Sequence, residues 1–211
     1  MKKIAVLVPL MFACTEAVEN TPDSGSDAST SDVVVAPKDS SPSETGPADA
    51  SGCGLSMDAS LGVVVNEVRA KGAEFVELYN PTSGTIDLGG VALADTESDS
   101  GCPKTSEQLV FPNGTQIPSG GYIVVDTSAG DAGGPFQNCH DAGYACFQAT
   151  WGVSNSAGES VWVLQGSTIS ATAYYPPAAV DSGLSYGRVP NGTGNFTACT
   201  PTPGAANVAA P

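Results

Sequence analysis

The stretch Gly72–Asp95, GAEFVELYNPTSGTIDLGGVALAD, limits the folds open to this chain. Within Glu74–Asn80, Val76 and Leu78 alternate with Glu77 and Tyr79, the period of a strand buried on one face. Asn80-Pro81 ends that strand, because proline has no N–H to give a ladder and pushes the residue before it out of helical geometry. Pro81–Gly84 turns the chain into a second strand, predicted over Ile86–Ala94.

The pattern recurs downstream. Strands are predicted over Gly62–Arg69, Gln108–Phe111, Tyr122–Asp126, Glu159–Leu164, Thr168–Tyr175 and Ser185–Arg188, with Phe147–Trp151 apolar. Turns are expected at Pro112-Asn113-Gly114, Ser119-Gly120-Gly121, Gln165-Gly166 and Asn191-Gly192. Asp95–Thr105 and Thr127–Cys146 read as polar loops. The 25 glycines and 16 prolines fit so many turns, and no long helical periodicity appears. About seven to nine short strands imply an all-β domain, a β-sandwich first and a small barrel second.

The N-terminus reads as an address. Met1-Lys2-Lys3 is basic, and Ile4–Ala13 is apolar but too short to span a bilayer. Met11-Phe12-Ala13-Cys14 resembles a bacterial lipobox, which implies a signal peptide over residues 1–13 and lipidation of Cys14. Thr15 follows in place of Asp, which by analogy with enterobacterial sorting points to the outer membrane, facing the periplasm or the surface. Residues 14–53 are rich in Ser, Asp, Thr and Pro, with Val33-Val34-Val35 the one apolar run, and are expected to be disordered. A coil of that length spans ~35 Å r.m.s., a tether between the membrane and a domain over residues 54–211. With 22 acidic and 7 basic residues the net charge is -15, which repels phosphate backbones and excludes nucleic acid as a partner.

Seven segments in order resemble the lamin tail domain family. They are Val64–Val68, Glu74–Pro81, Ile86–Asp95, Phe111–Tyr122, Gly152–Glu159, Ser185–Arg188 and Thr202–Asn207. The resemblance runs from about Leu61 to Asn207 and implies an immunoglobulin-like sandwich with an interaction role and no shared active site. The cysteine-bearing loops depart from the pattern.

Arg188 is one of only four basic residues in the domain, with Arg69, Lys71 and Lys104, while Glu67 and Glu77 sit in apolar strands. A structural ion pair from Arg188 to one of these carboxylates would pin the C-terminal segment to the first strands. If Cys14 is lipidated, five cysteines remain for disulfides. Cys139 and Cys146 share a loop and are favoured as a pair. Cys53 and Cys199 flank the domain and would tie its ends together, with Cys102 able to replace any partner. A zinc site from Cys102, Cys139, His140 and Cys146 lacks C-x-x-C spacing.

Asp95-Thr96-Glu97-Ser98-Asp99-Ser100-Gly101 alternates acids as a calcium loop does, but its glycine falls one position late and Ser106 stands where the bidentate Glu belongs. A solvated loop is the expected reading, with Ca²⁺ the one cofactor in view. The single histidine, His140, has no nucleophile elbow to serve, so no catalytic residue is assigned. Trp151, Tyr174 and Tyr175 are assigned to packing before a sugar platform. The expected protein is non-catalytic, held at the membrane by its lipid and presenting one domain to a protein or envelope partner. The alternative is a carbohydrate- or calcium-dependent adhesive module.

Overall fold

The computed structural model describes residues 50–127 and 144–211. The predicted signal sequence, Cys14, nearly all of the tether, Cys139 and His140 lie outside these residues. The described chain is β throughout apart from two short 3-10 turns, Ala50–Cys53 and Ala59–Leu61.

Fourteen strands follow one another: β1 Ser56–Met57, β2 Val64–Arg69, β3 Phe75–Tyr79, β4 Ile86–Asp87, β5 Ala92–Ala94, β6 Leu109–Val110, β7 Gln116–Ile117, β8 Tyr122–Asp126, β9 Cys146–Gln148, β10 Glu159–Gln165, β11 Thr168–Tyr175, β12 Ser185–Val189, β13 Asn195–Thr200 and β14 Val208–Ala209. They form a seven-stranded sheet, β14-β13-β12-β2-β3-β8-β9, and a five-stranded sheet, β1-β11-β10-β5-β6, with β4 and β7 a separate two-stranded ribbon. The two large sheets make the expected sandwich. Val65, Val68, Val76, Leu78, Ile123 and Val125 from one meet Leu93, Leu109, Val161, Val163 and Tyr175 from the other in one buried core. The alternation of β3 is as expected, with Val76 and Leu78 at 0% exposure.

The predicted strand Ile86–Ala94 is two strands. Gly90, at φ +80°, turns the chain between them, so β4 pairs with β7 while β5 pairs with β10 and β6. The ribbon places Ile86, Leu88 and Ile117 in the main core. Asn80 fixes this end. Its side-chain NH₂ donates to the carbonyls of Gly84 (2.7 Å) and Ile117 (2.9 Å), and its Oδ1 accepts from the N–H and hydroxyl of Thr82.

A strand buried on one face leaves the other to be covered, and here both outer faces are. On the five-stranded sheet, Val161 and Val163 point inward, so Trp162 and Leu164 point out. They form a second cluster with Ala92, Ala94 and Ile169, against which Leu55 packs. Trp162 is fully buried, and its indole N–H donates to Thr96 Oγ1 at 2.8 Å. The N-terminal segment is stapled there by a Cys53–Cys102 disulfide with Cα atoms 5.6 Å apart. Of the pairings the sequence leaves open, this is the one in which Cys102 takes the place of Cys199 opposite Cys53. Cys199 is a buried free thiol on β13, and Cys53 lies at the opposite sheet. Cys146 is also disulfide-bonded, and the partner expected for it, Cys139, lies outside the described residues. With Cys102 and Cys146 both oxidised, the thiolate set considered for zinc does not exist.

The Cys53–Cys102 bridge closes a loop of 49 residues, which in the chain-entropy account stabilises by about 4 kcal/mol. Cys102→Ser should therefore lower Tm by about 10 °C for a domain of this size. Thermal unfolding of wild type and variant measures this, and an unchanged Tm would show that the N-terminal segment contributes nothing to the fold.

Candidate functional site

Among the described residues, ionisable side chains gather in two places, one of them the outer face of the seven-stranded sheet. β2 carries a bulge there. Val65 pairs with Leu78 and Glu67 with Glu77, so Asn66 is the extra residue. A bulge sets two residues opposite one, and here it aims both Asn66 and Glu67 at Glu77. All three are at 0% exposure.

Two carboxylates facing each other under cover need donors. Asn66 Nδ2 donates to Glu77 Oε1 at 2.9 Å, and the Gly204 N–H donates to Glu77 Oε2 at 2.7 Å. Ser185 Oγ donates to Glu67 Oε1, and the Thr202 N–H reaches the same oxygen at 3.2 Å. Thr202 and Gly204 belong to the segment between β13 and β14, which crosses over both carboxylates. Pro203-Gly204 makes a tight turn there, closed by Ala205 N–H to Thr202 C=O at 2.9 Å, with Gly204 at φ +78°. Proline at the second position and a left-handed glycine at the third are what such a turn demands, and it leaves the Gly204 N–H for Glu77. Asn207 ends the strap. Its Nδ2 donates to the carbonyls of Asn66 (2.9 Å) and Arg188 (3.0 Å), and its N–H donates to Asn191 Oδ1 at 2.8 Å. A Cβ on Gly187 would stand 2.6 Å from Asn207 Nδ2, so only glycine fits at that point of β12.

Arg188 does not hold these carboxylates. Gly187 is the register partner of Glu67 and faces the strap, so the next residue of β12 faces the other way. Arg188 Nε donates to Val65 O at 3.1 Å, one of its terminal nitrogens donates to Gly194 O at 3.0 Å, and its guanidinium lies 4.4 Å from the Phe196 ring centroid. Among the described residues neither Glu67 nor Glu77 has an ion-pair partner within 4.0 Å. The C-terminal segment is pinned to the first strands as expected, but by Ser185, Thr202, Gly204 and Asn66. The cation whose charge reaches Glu67 is Arg69, on the same face of β2.

Burial pushes the Glu77 carboxyl up to about 8, against its hydrogen-bond donors and with help from the charge of Glu67. Burial raises Glu67 as well, opposed by Ser185, Thr202 and Arg69. Each donor on Glu77 suits the ionised form, while burial and the neighbouring acid favour the neutral one.

The second group lies at the end of β5. Asp95 is buried, and burial followed by the charge of Glu159 raises its carboxyl to about 6. Glu159 accepts from the N–H of Thr96 (3.1 Å) and of Ser154 (2.6 Å), tying two loops together. The loop read as a calcium candidate folds on itself instead, with the Gly101 N–H donating to Glu97 O at 2.8 Å and the Glu97 N–H to Cys102 O at 2.7 Å. Among the described residues no three Asp, Glu, His or Cys side chains are placed to hold a metal ion. Trp151 and Tyr175 are core residues at 3% and 0% exposure, so the aromatic platform is not assembled.

These shifts set a pH dependence. Glu77, Glu67 and Asp95 all have raised pKa values in the folded state. The folded protein keeps protons that the unfolded chain has released, so their contribution is complete below about 4.5 and falls as pH rises towards about 8. Tm should decline from pH 5 to pH 8.5 in scanning calorimetry, and less steeply in Glu77→Gln; a Tm that rises over this range would contradict the assignment. Asn207→Ala leaves two strand carbonyls without their donor and should cost about 2 kcal/mol in urea unfolding.

A search of curated proteins found no match to this chain. A family model described as Lamin Tail Domain matches residues 56–176, more than half of its length. The match takes in β1 to β11 with Glu67 and Glu77, and stops before β12–β14 and the strap that covers them. Spanning that much of a two-sheet all-β sandwich, the match places the protein in the lamin tail domain family, whose members are immunoglobulin-like, non-catalytic interaction domains.

Proposed function

We propose that this protein is a bacterial lipoprotein of the cell envelope that presents its lamin tail domain, on an acidic tether, for contact with another protein. The observation that carries this reading is the sequence Met11-Phe12-Ala13-Cys14, followed by a Ser- and Asp-rich tract and then by a domain of an interaction family. Acylation of Cys14 would hold the chain at the membrane, more than one acyl chain being needed for stable anchoring. The net charge of -15 directs the domain away from phosphate-rich partners.

Two features of the domain support binding over catalysis. The buried Glu67 and Glu77 and the half-buried Glu159 accept from backbone N–H groups that hold the chain in place. Among the described residues, the large apolar side chains it exposes, Met57, Val110 and Val208, all lie on edge strands, β1, β6 and β14. Edge strands offer unpaired backbone groups to a partner.

In-cell crosslinking of the tagged full chain, followed by mass spectrometry, tests the proposal. One recurrent envelope protein should be recovered, and Cys14→Ala should abolish both its recovery and the membrane fractionation of the chain. Membrane association that survives Cys14→Ala would sink the lipid anchor. Recovery of no specific protein would sink the interaction role and favour a glycan ligand.

A further inference from the structure

We infer that the strap between β13 and β14 is a pH-sensitive clasp, closed while the Glu67–Glu77 pair holds a proton and opened locally when both carboxyls ionise. This does not depend on the functional proposal above.

The geometry carries the inference. Glu67 and Glu77 are direct cross-strand partners, and both are fully buried. Directly opposed side chains on adjacent strands stand about 5 Å apart at Cβ, and like charges so placed in a covered site cannot both ionise freely. What covers them is the strap itself. It meets the pair through the N–H and hydroxyl of Thr202 and the N–H of Gly204, and it carries no positive charge, since residues 200–211 contain no Lys or Arg. The groups facing the pair from the surrounding strands do not supply one at contact distance. They are Arg69 on β2, Cys199 on β13, Tyr122 on β8 and Tyr144 ahead of β9, and only Arg69 is cationic. The second negative charge is therefore relieved most directly by admitting water, and the strap is the movable side of the site. Ala205, Ala206, Val208 and Ala209 are exposed, and β14 is a two-residue strand at the sheet edge. Lifting the strap would uncover the outer face of β3, whose Phe75 packs with Val124 and Cys146.

Opening that releases one proton grows tenfold per pH unit between the open-state and closed-state pKa values, then levels off. Amide hydrogen exchange of the full chain, followed by NMR from pH 5 to pH 9 and corrected for intrinsic base catalysis, measures this. The Thr202 and Gly204 amides should lose protection about tenfold per pH unit up to about pH 8. By pH 8 they should be at least tenfold less protected than Val76 and Ile123 in the core. Glu77→Gln should remove most of the pH slope at Thr202 and Gly204. Strap amides as protected as the core at every pH would overturn the clasp, because the strap would then open only with the whole domain. A flat protection profile in wild type would overturn it as well, whether or not the variant folds.

Discussion

The double burial of β3 is the constraint on which the rest depends. Its inward face, Val76 and Leu78, lies in the sandwich core, and its outward face, Phe75 and Glu77, is buried too. A central strand with a carboxylate under cover obliges the chain to bring hydrogen-bond donors there, since an unpaired buried polar group costs several kcal/mol. The bulge in β2, the glycine at position 187 and the Pro203-Gly204 turn all serve that need. Without them the outer face would expose aromatic and aliphatic surface around an unsatisfied acid.

The other sheet meets the same requirement by covalent means. Trp162 and Leu164 are as deeply buried on its outer face as Val161 and Val163 are on the inner one. Their cover is a segment that forms only a two-residue strand, β1, and a loop with little apolar surface. Such short pieces cannot hold themselves in place by packing, and the Cys53–Cys102 bridge ties them to each other. One face is thus closed by hydrogen bonds that titrate and the other by a bond that does not, so the two ends of the domain respond to different conditions.

The raised carboxyls follow from the same architecture. In a domain with four basic residues, buried acids cannot all find cations, and Glu67, Glu77, Asp95 and Glu159 all shift upward with burial as the leading cause. Lys104 pairs with Glu107 at 2.9 Å on the surface, and Arg188 is directed to carbonyls and a ring. Burial therefore favours the neutral form of these acids inside the fold.

The all-β class, most strand positions and the family were legible in the sequence, because period-two alternation and turn residues are local signals. The break at Leu88-Gly89-Gly90 was locally marked, yet the run of apolar residues around it read as one strand, Ile86–Ala94. β13 and β14 leave no such signal, since Asn195–Thr200 carries only one large apolar residue, Phe196, and Val208–Ala209 is only two residues long; they become strands by pairing at the sheet edge. Glu67 and Glu77 stood out by sequence as acids in apolar strands, but their donors did not. Backbone N–H groups such as those of Thr202 and Gly204 leave no side-chain signature. The register of β12 that turns Arg188 away, and the meeting of Cys53 with Cys102 across 49 residues, are likewise matters of tertiary placement. Local sequence chemistry determined where the chain would alternate and turn. Which charges would face one another, and which cysteines would meet, only the tertiary packing decided, because those contacts join residues the chain alone does not place side by side.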